Sequence, residues 1–141
     1  MHPLNWTVET KQSATSTSDL AKQAASEGAP HGSGYLAIEQ TAGRGRRGRH
    51  WSSREGGMYL SVLLRPEVEK KFWFVLSFAA SLAVLDTVRE QLETHFDVKD
   101  MPQIGLKWPN DVLMAGGKIA GILLESEGQA LIVGSGINIA P

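Results

Sequence analysis

Between residues 43 and 51 the chain reads Gly-Arg-Gly-Arg-Arg-Gly-Arg-His-Trp, and no other segment limits the fold as strongly. Gly43, Gly45 and Gly48 weaken any helix or strand, and the guanidiniums of Arg44, Arg46, Arg47 and Arg49 do not belong in an apolar core. The flanking runs are of the opposite kind. Residues 35–40, Tyr-Leu-Ala-Ile-Glu-Gln, read as a strand, and residues 58–64, stopped by Pro66, read as another. The basic segment is therefore expected to be a loop held at both ends by a scaffold. Glycines let a ligand approach the backbone, and forked guanidinium donors fit carboxylate and phosphate oxygens. Ordering seven such residues costs roughly 7–14 kcal/mol, at about 1–2 kcal/mol of backbone entropy each. The loop is expected to stay mobile until a ligand arrives with several anionic groups or with apolar packing of its own. Trp51, at the end of the run, offers a stacking face.

The rest of the chain does not share this basic character. Fourteen Lys and Arg stand against fifteen Asp and Glu, a formal net charge of −1. Removing the four loop arginines leaves the remainder at −5, so one basic spot sits on a mildly acidic domain. Such a balance gives no general reason to expect a nucleic-acid or membrane-surface protein. Taken alone, the run fits a small-molecule phosphate or carboxylate site, a nucleic-acid contact or plain surface charge. There are no cysteines, which excludes disulfides, thiolate metal sites and cysteine nucleophiles and is compatible with a reducing cytoplasm. His2, His31, His50 and His95 form no metal-binding pair, so no protein-built transition-metal site is expected. Residues 1–11 carry no apolar leader segment. The longest apolar stretch, residues 72–85, includes Ser77 and Ser81 and falls short of the roughly 20 residues a membrane span needs. It reads as a buried core helix.

With 141 residues, the chain is one ordinary domain. A short strand is expected over residues 5–10, followed by a hydroxyl-rich segment at 13–18 that can cap a helix, with Asp19 suited to its first turn. Leu20, Ala21, Ala24 and Ala25 recur at helical spacing, and Gly28 can end the helix. A long helix is expected over residues 72 to about 94. The last third reads as a meander of strands at 104–108, 112–114, 118–125 and 130–133, after which Gly134-Ser135-Gly136 is expected to loosen the backbone. Strands and helices mix without strict β-α-β alternation, which favours an α+β class.

Three further signals are individually weak. Lys118 opens an almost wholly apolar strand. A lysine there is commonly just solvated, yet Gly121 inside the strand can mark close approach of a ligand. Lys107-Trp108-Pro109-Asn110-Asp111 makes a good turn, and also places Asn110 and Asp111 where polar groups can serve a site. Asn138, after two glycines, either caps a turn or reads a base edge.

Together and in this order the segments are more specific. Ser16-Thr17-Ser18, residues 39–51 (E-Q-T-A-G-R-G-R-R-G-R-H-W), 58–62 (M-Y-L-S-V), 107–112 (K-W-P-N-D-V), 117–125 (G-K-I-A-G-I-L-L-E) and 134–139 (G-S-G-I-N-I) resemble the catalytic domain of biotin protein ligases. The resemblance covers the chain from about residue 13 to its end. It implies a mixed β-sheet packed by helices, related to class II aminoacyl-tRNA synthetases and shared with lipoate ligases. It implies joining of biotin to ATP as biotinyl-5′-adenylate, with Mg²⁺, and transfer of biotin to one lysine of a biotin carboxyl carrier protein. By the resemblance, Lys118 lies between the biotin carboxylate and the α-phosphate, and Arg46 lies near the same carboxylate. Arg44, Arg47 and Arg49 belong to the same closing loop, Arg44 on the biotin side and Arg47 and Arg49 on the ATP side. Ser16, Thr17 and Gln40 address the ureido ring, and Gly43 and Gly121 allow close backbone approach. Trp51 and Asn138 stand near the adenine. Asn110 and Asp111 stand beside the phosphates, where Mg²⁺ would be held chiefly by ATP and water.

Ser18 stands where many relatives have Asn. The resemblance also implies a partial catalytic domain over residues 1–141, truncated at the C-terminus, with no N-terminal winged helix and no C-terminal β-barrel. DNA and membrane binding are not expected, the expected location is cytoplasmic, and a homodimer is left open. Lipoate or octanoate transfer on the same fold, an inactive chain that still binds biotin, and a basic-loop nucleic-acid binder are the alternatives. The −5 remainder argues against the last.

Overall fold

The computed structural model describes residues 5–139; Met1–Leu4, part of the segment read as lacking a leader, lie outside it. Its centre is a seven-stranded mixed sheet in the order β1-β2-β3-β7-β6-β5-β4. The strands are β1 (Thr7–Ala14), β2 (Ser33–Gln40), β3 (Met58–Leu64), β4 (Ile104–Lys107), β5 (Asp111–Met114), β6 (Gly117–Glu127) and β7 (Ala130–Ile137). Only β1 and β2 run parallel; the other neighbours are antiparallel. The expected meander is present as β4 to β7, and its last strand inserts beside β3 in the middle of the sheet. The α+β reading holds.

Two helices, α1 (Thr17–Ser26) and α2 (Val75–His95), cover opposite faces. Leu63 pairs with Ile132, and both join Ala21 and Ala25 of α1 in one core cluster. Five residues along the same register, Met58 pairs with Ile137. An odd step on an alternating strand turns this pair to the other face, where Ile137 joins Leu85 of α2, Val112 and Ala120. Ser16 caps α1, its side chain accepting from the Ser18 N–H, and Asp19 falls in the first turn as expected.

Three expectations need correction. Strand β1 runs on to Ala14 because its parallel pairing with β2 continues to Gln40. The Gly134-Ser135-Gly136 stretch does not loosen; it is paired on both sides, with β3 and with β6. Its glycines are there for space, as the site shows. The apolar stretch 72–85 does not form a buried core helix. Residues 70–72 make a short 3₁₀ turn, α2 starts at Val75, and Phe72, Phe74, Val75 and Leu82 are exposed. Leu85 reaches the core because α2 lays one side on the β4–β6 end of the sheet. No described helix is long and apolar enough to cross a membrane.

Candidate active site

The cavity lies on the α1 face and has a volume of about 360 Å³. The N-terminus of α1 and Gln40 line one end, Gly121, Gly134 and Gly136 the sheet floor, and the arginine loop the rim. Lys118, Asn110 and Asp111 line the other side. Segments far apart in sequence are thus brought to one cleft by the sheet order.

A chain of side chains fixes the polarity of the inner end. The Thr17 backbone N–H donates to Gln40 Oε1 at 2.8 Å, which sets the orientation of that amide. Thr17 Oγ1 also lies 3.2 Å from Oε1 and must donate, because the amide oxygen only accepts. Ser61 Oγ, 2.8 Å from Thr17 Oγ1, therefore donates to it, and Ser18 Oγ donates to Ser61 at 3.0 Å. On the far side of the amide, Gln40 Nε2 donates to Ser53 Oγ at 2.7 Å, and Ser53 donates to the Trp51 carbonyl at 3.1 Å. Every hydroxyl proton in this chain is committed internally. What Ser18 presents to a ligand is an oxygen with free lone pairs, which accepts hydrogen bonds, while Ser61 orients it from behind. The fully buried Ser61 was not singled out from the sequence. The signal was a lone hydroxyl on the inward-facing alternation of β3, between buried Tyr59 and Leu63. Ser61→Ala removes a buried donor and acceptor at once, and is expected to cost about 1–3 kcal/mol of stability in a urea melt.

Trp51 lies flat on the sheet floor. A Cβ on Gly136 would overlap the indole, standing 2.8 Å from Cε2, and one on Gly121 would stand 3.3 Å from its Cζ3. These glycines are seats for the ring. Lys118 Nζ sits over the ring face at 5.1 Å from its centroid and pairs with Asp111 at 2.8 Å. The indole Nε1–H is buried and has no partner among the described residues. A buried unpaired donor is costly, so this group awaits an acceptor. Behind it, the Tyr59 hydroxyl donates to the Arg54 carbonyl at 2.7 Å and braces the return of the loop. Burial pushes that phenol above its ordinary pKa, so it remains a donor at neutral pH.

The loop itself closes as a narrow hairpin. The Gly45 N–H donates to the Arg49 carbonyl at 2.7 Å, and the Trp51 N–H to the Gly43 carbonyl at 2.9 Å. Arg47 and Gly48 take positive φ at the tip. Arg46 Nη1 donates to Asn110 Oδ1 at 3.2 Å, while Asn110 Nδ2 donates to the Ile122 carbonyl at 2.5 Å. Buried Asn110 thus clips the loop to β6. Arg44 is different: it pairs with Asp19 at 2.8 Å and Glu125 at 3.1 Å. Desolvation lowers its pKa, but these two carboxylates more than offset that and raise it above the ordinary guanidinium value. Arg47, Arg49 and His50 complete the rim.

Of the residues singled out from the sequence, two do not line the cavity. Gly43 stands behind it, where a Cβ would meet Ser53 Oγ at 2.5 Å and the Trp51 carbonyl at 2.6 Å. Asn138 is exposed past the end of β7, with its backbone N–H bonded to the Ile119 carbonyl at 2.7 Å. Among the described residues no group of three His, Cys, Asp or Glu could hold a metal.

The chain is similar to proteins of known activity. A biotin–[acetyl-CoA-carboxylase] ligase of Mycobacterium tuberculosis is 42% identical over 130 residues, covering 91% of this chain and 47% of the relative. One from Paracoccus denitrificans is 44% identical over 110 residues, covering 74% and 43%. The biotin protein ligase of Leishmania major, solved with biotinyl-5-AMP, superposes with a TM-score of 0.83 at 33% identity, covering 95% of this chain and 57% of that one. The Aquifex aeolicus biotin protein ligase, solved with biotin and ATP, gives a TM-score of 0.77 at 35% identity, covering 92% and 51%. This chain spans about half the length of the relatives it matches. The model of the biotin/lipoate A/B protein ligase family matches residues 10–140, and the chain belongs to that family.

Proposed function

We propose that this cleft activates biotin with ATP as biotinyl-5′-adenylate and passes the biotin to a lysine of a biotin carboxyl carrier protein. The observation that carries the choice of biotin is the polarity of the Ser18–Ser61–Thr17–Gln40 chain. Its committed protons leave the Ser18 oxygen to accept from an N–H group. A ureido ring supplies two N–H donors. The dithiolane of lipoate supplies none and would leave the buried Ser18 oxygen unanswered, at a cost in affinity. Isothermal titration tests this. Biotin is expected to bind, and lipoate to bind at least about tenfold more weakly, the equivalent of one lost hydrogen bond. Equal affinities would remove the argument for biotin.

In the first half-reaction a carboxylate oxygen attacks the α-phosphorus. A P–O bond forms, the bond to the bridging oxygen breaks, and pyrophosphate leaves with its electron pair. Two like charges 4 Å apart repel by about 4 kcal/mol at an effective dielectric of 20. Lys118 and Arg46, fixed by Asp111 and Asn110, bring positive charge to where those anions meet. Arg47 and Arg49 at the rim suit the phosphates, and the unpaired Trp51 N–H beneath them suits an acceptor on the adenylate. Mg²⁺ would neutralise phosphate charge. Asp111 is the carboxylate lining the cavity and is already paired with Lys118, so the donor set fits an ion carried mainly by nucleotide oxygens and water. In the second half-reaction the lysine amine attacks the acyl carbon, loses a proton, and AMP leaves. The closed loop would keep water from the mixed anhydride meanwhile.

A further inference from the structure

The four loop arginines do not share one environment. Among the described residues, no carboxylate lies within ion-pair distance of Arg46, Arg47 or Arg49, whereas Arg44 has two. Arg44 sits at the neck of the hairpin, opposite His50 in an isolated antiparallel bridge. Its guanidinium reaches Asp19 in the first turn of α1 with one nitrogen and Glu125 near the end of β6 with another. Glu125 also receives Lys22, one turn along α1 from Asp19, at 2.8 Å. Asp19 also accepts from Thr15 Oγ1 at 3.3 Å. Two acids and two bases thus form a balanced cluster joining loop, helix and strand. All four side chains keep contact with solvent, from 20% exposure at Glu125 to 44% at Asp19. Pairs of this kind are individually weak and are screened by salt.

We infer that Asp19 and Glu125 are positioning residues that latch the neck of the arginine loop to α1 and β6 through Arg44. The latch divides the labour of the loop. Arg44 is neutralised and holds the hairpin over the cleft, and Arg46, Arg47 and Arg49 carry the uncompensated charge that meets anions. A weak latch is the suitable kind, because the loop must open for substrates to enter. The kinetic consequence rests on the ligase reading above; the mechanical one does not.

Two variants of the full chain test it, Glu125→Gln and, at the more exposed side of the cluster, Asp19→Asn. Trypsin cleavage after Arg46, Arg47 or Arg49 reports opening of the loop without any substrate. Each variant is expected to be cut about fivefold faster than the parent, the upper range for one partly exposed ion pair. Raising salt should speed cleavage of the parent and have less effect on the variants. In biotin-dependent pyrophosphate exchange the variants should raise the KM for ATP with kcat held, since a loosened lid costs binding and leaves Lys118 in place. Unchanged loop cleavage in both variants would overturn the latch. So would a kcat loss matched by a fall in melting temperature at constant KM, which marks a merely structural cluster. If the parent shows no exchange at all, the ligase reading fails, while the cleavage result still decides the latch.

Discussion

Lys118→Ala is expected to lower biotin-dependent pyrophosphate exchange by about 10²–10³-fold, the range for removing one preorganised donor from a developing anion. The loss should fall on kcat, with little change in the KM for biotin. The geometry explains the direction. Lys118 is held by Asp111 on one side and by the face of Trp51 on the other, so its charge is in place before the reactants meet. The ureido end of biotin would be recognised across the cleft at Ser18, and the substitution does not touch that contact. Arginine at 118 is not an adequate replacement, because a planar fork does not occupy the place of a point charge over the ring. An unchanged rate in Lys118→Ala would remove this residue from its role.

Gly136→Ala should act through Trp51. A Cβ there overlaps the indole, so the ring must leave its seat between Gly136 and Gly121. Crowding of this kind costs about 1–3 kcal/mol of stability. On the proposed reading, displacing the ring also moves the indole N–H offered to the adenylate and should weaken ATP binding by about tenfold, the equivalent of one lost hydrogen bond. The two effects share one cause, which makes a double-variant cycle decisive. Once Trp51 has been cut back to alanine, adding Gly136→Ala should change neither stability nor ATP affinity much. Simple additivity would show that Gly136 acts on something other than the ring.

The same glycines show where sequence reading stops. Alternation and turn residues were enough to place β2, β3 and the β4–β7 meander. They also suggested that the strand should loosen at Gly134-Ser135-Gly136, because glycine is a poor strand former taken locally. The structure keeps the strand paired there because Trp51 and Ser18 need the room. The apolar run at 72–85 was legible as a helix but not as a partly exposed one, since composition does not say how many sides of a helix find a partner. In the site, the cationic loop, Lys118 and the Asn110-Asp111 turn stood out because charge and glycine are costly in such places. The pairing of Arg44 was hidden. Its partners Asp19 and Glu125 lie far away along the chain, the latter 81 residues distant, and look like ordinary surface acids until β6 is laid beside α1. Ser61 was hidden by its ordinariness, one hydroxyl in an apolar strand.

Biotin-dependent exchange of labelled pyrophosphate into ATP tests the central claim most directly, because it reads the first half-reaction without a carrier protein. Exchange that requires biotin, is not supported by lipoate, and falls about 10²–10³-fold in Lys118→Ala is the predicted result. Exchange that proceeds equally without biotin, or a folded protein that binds biotin and ATP together yet exchanges nothing, would contradict it.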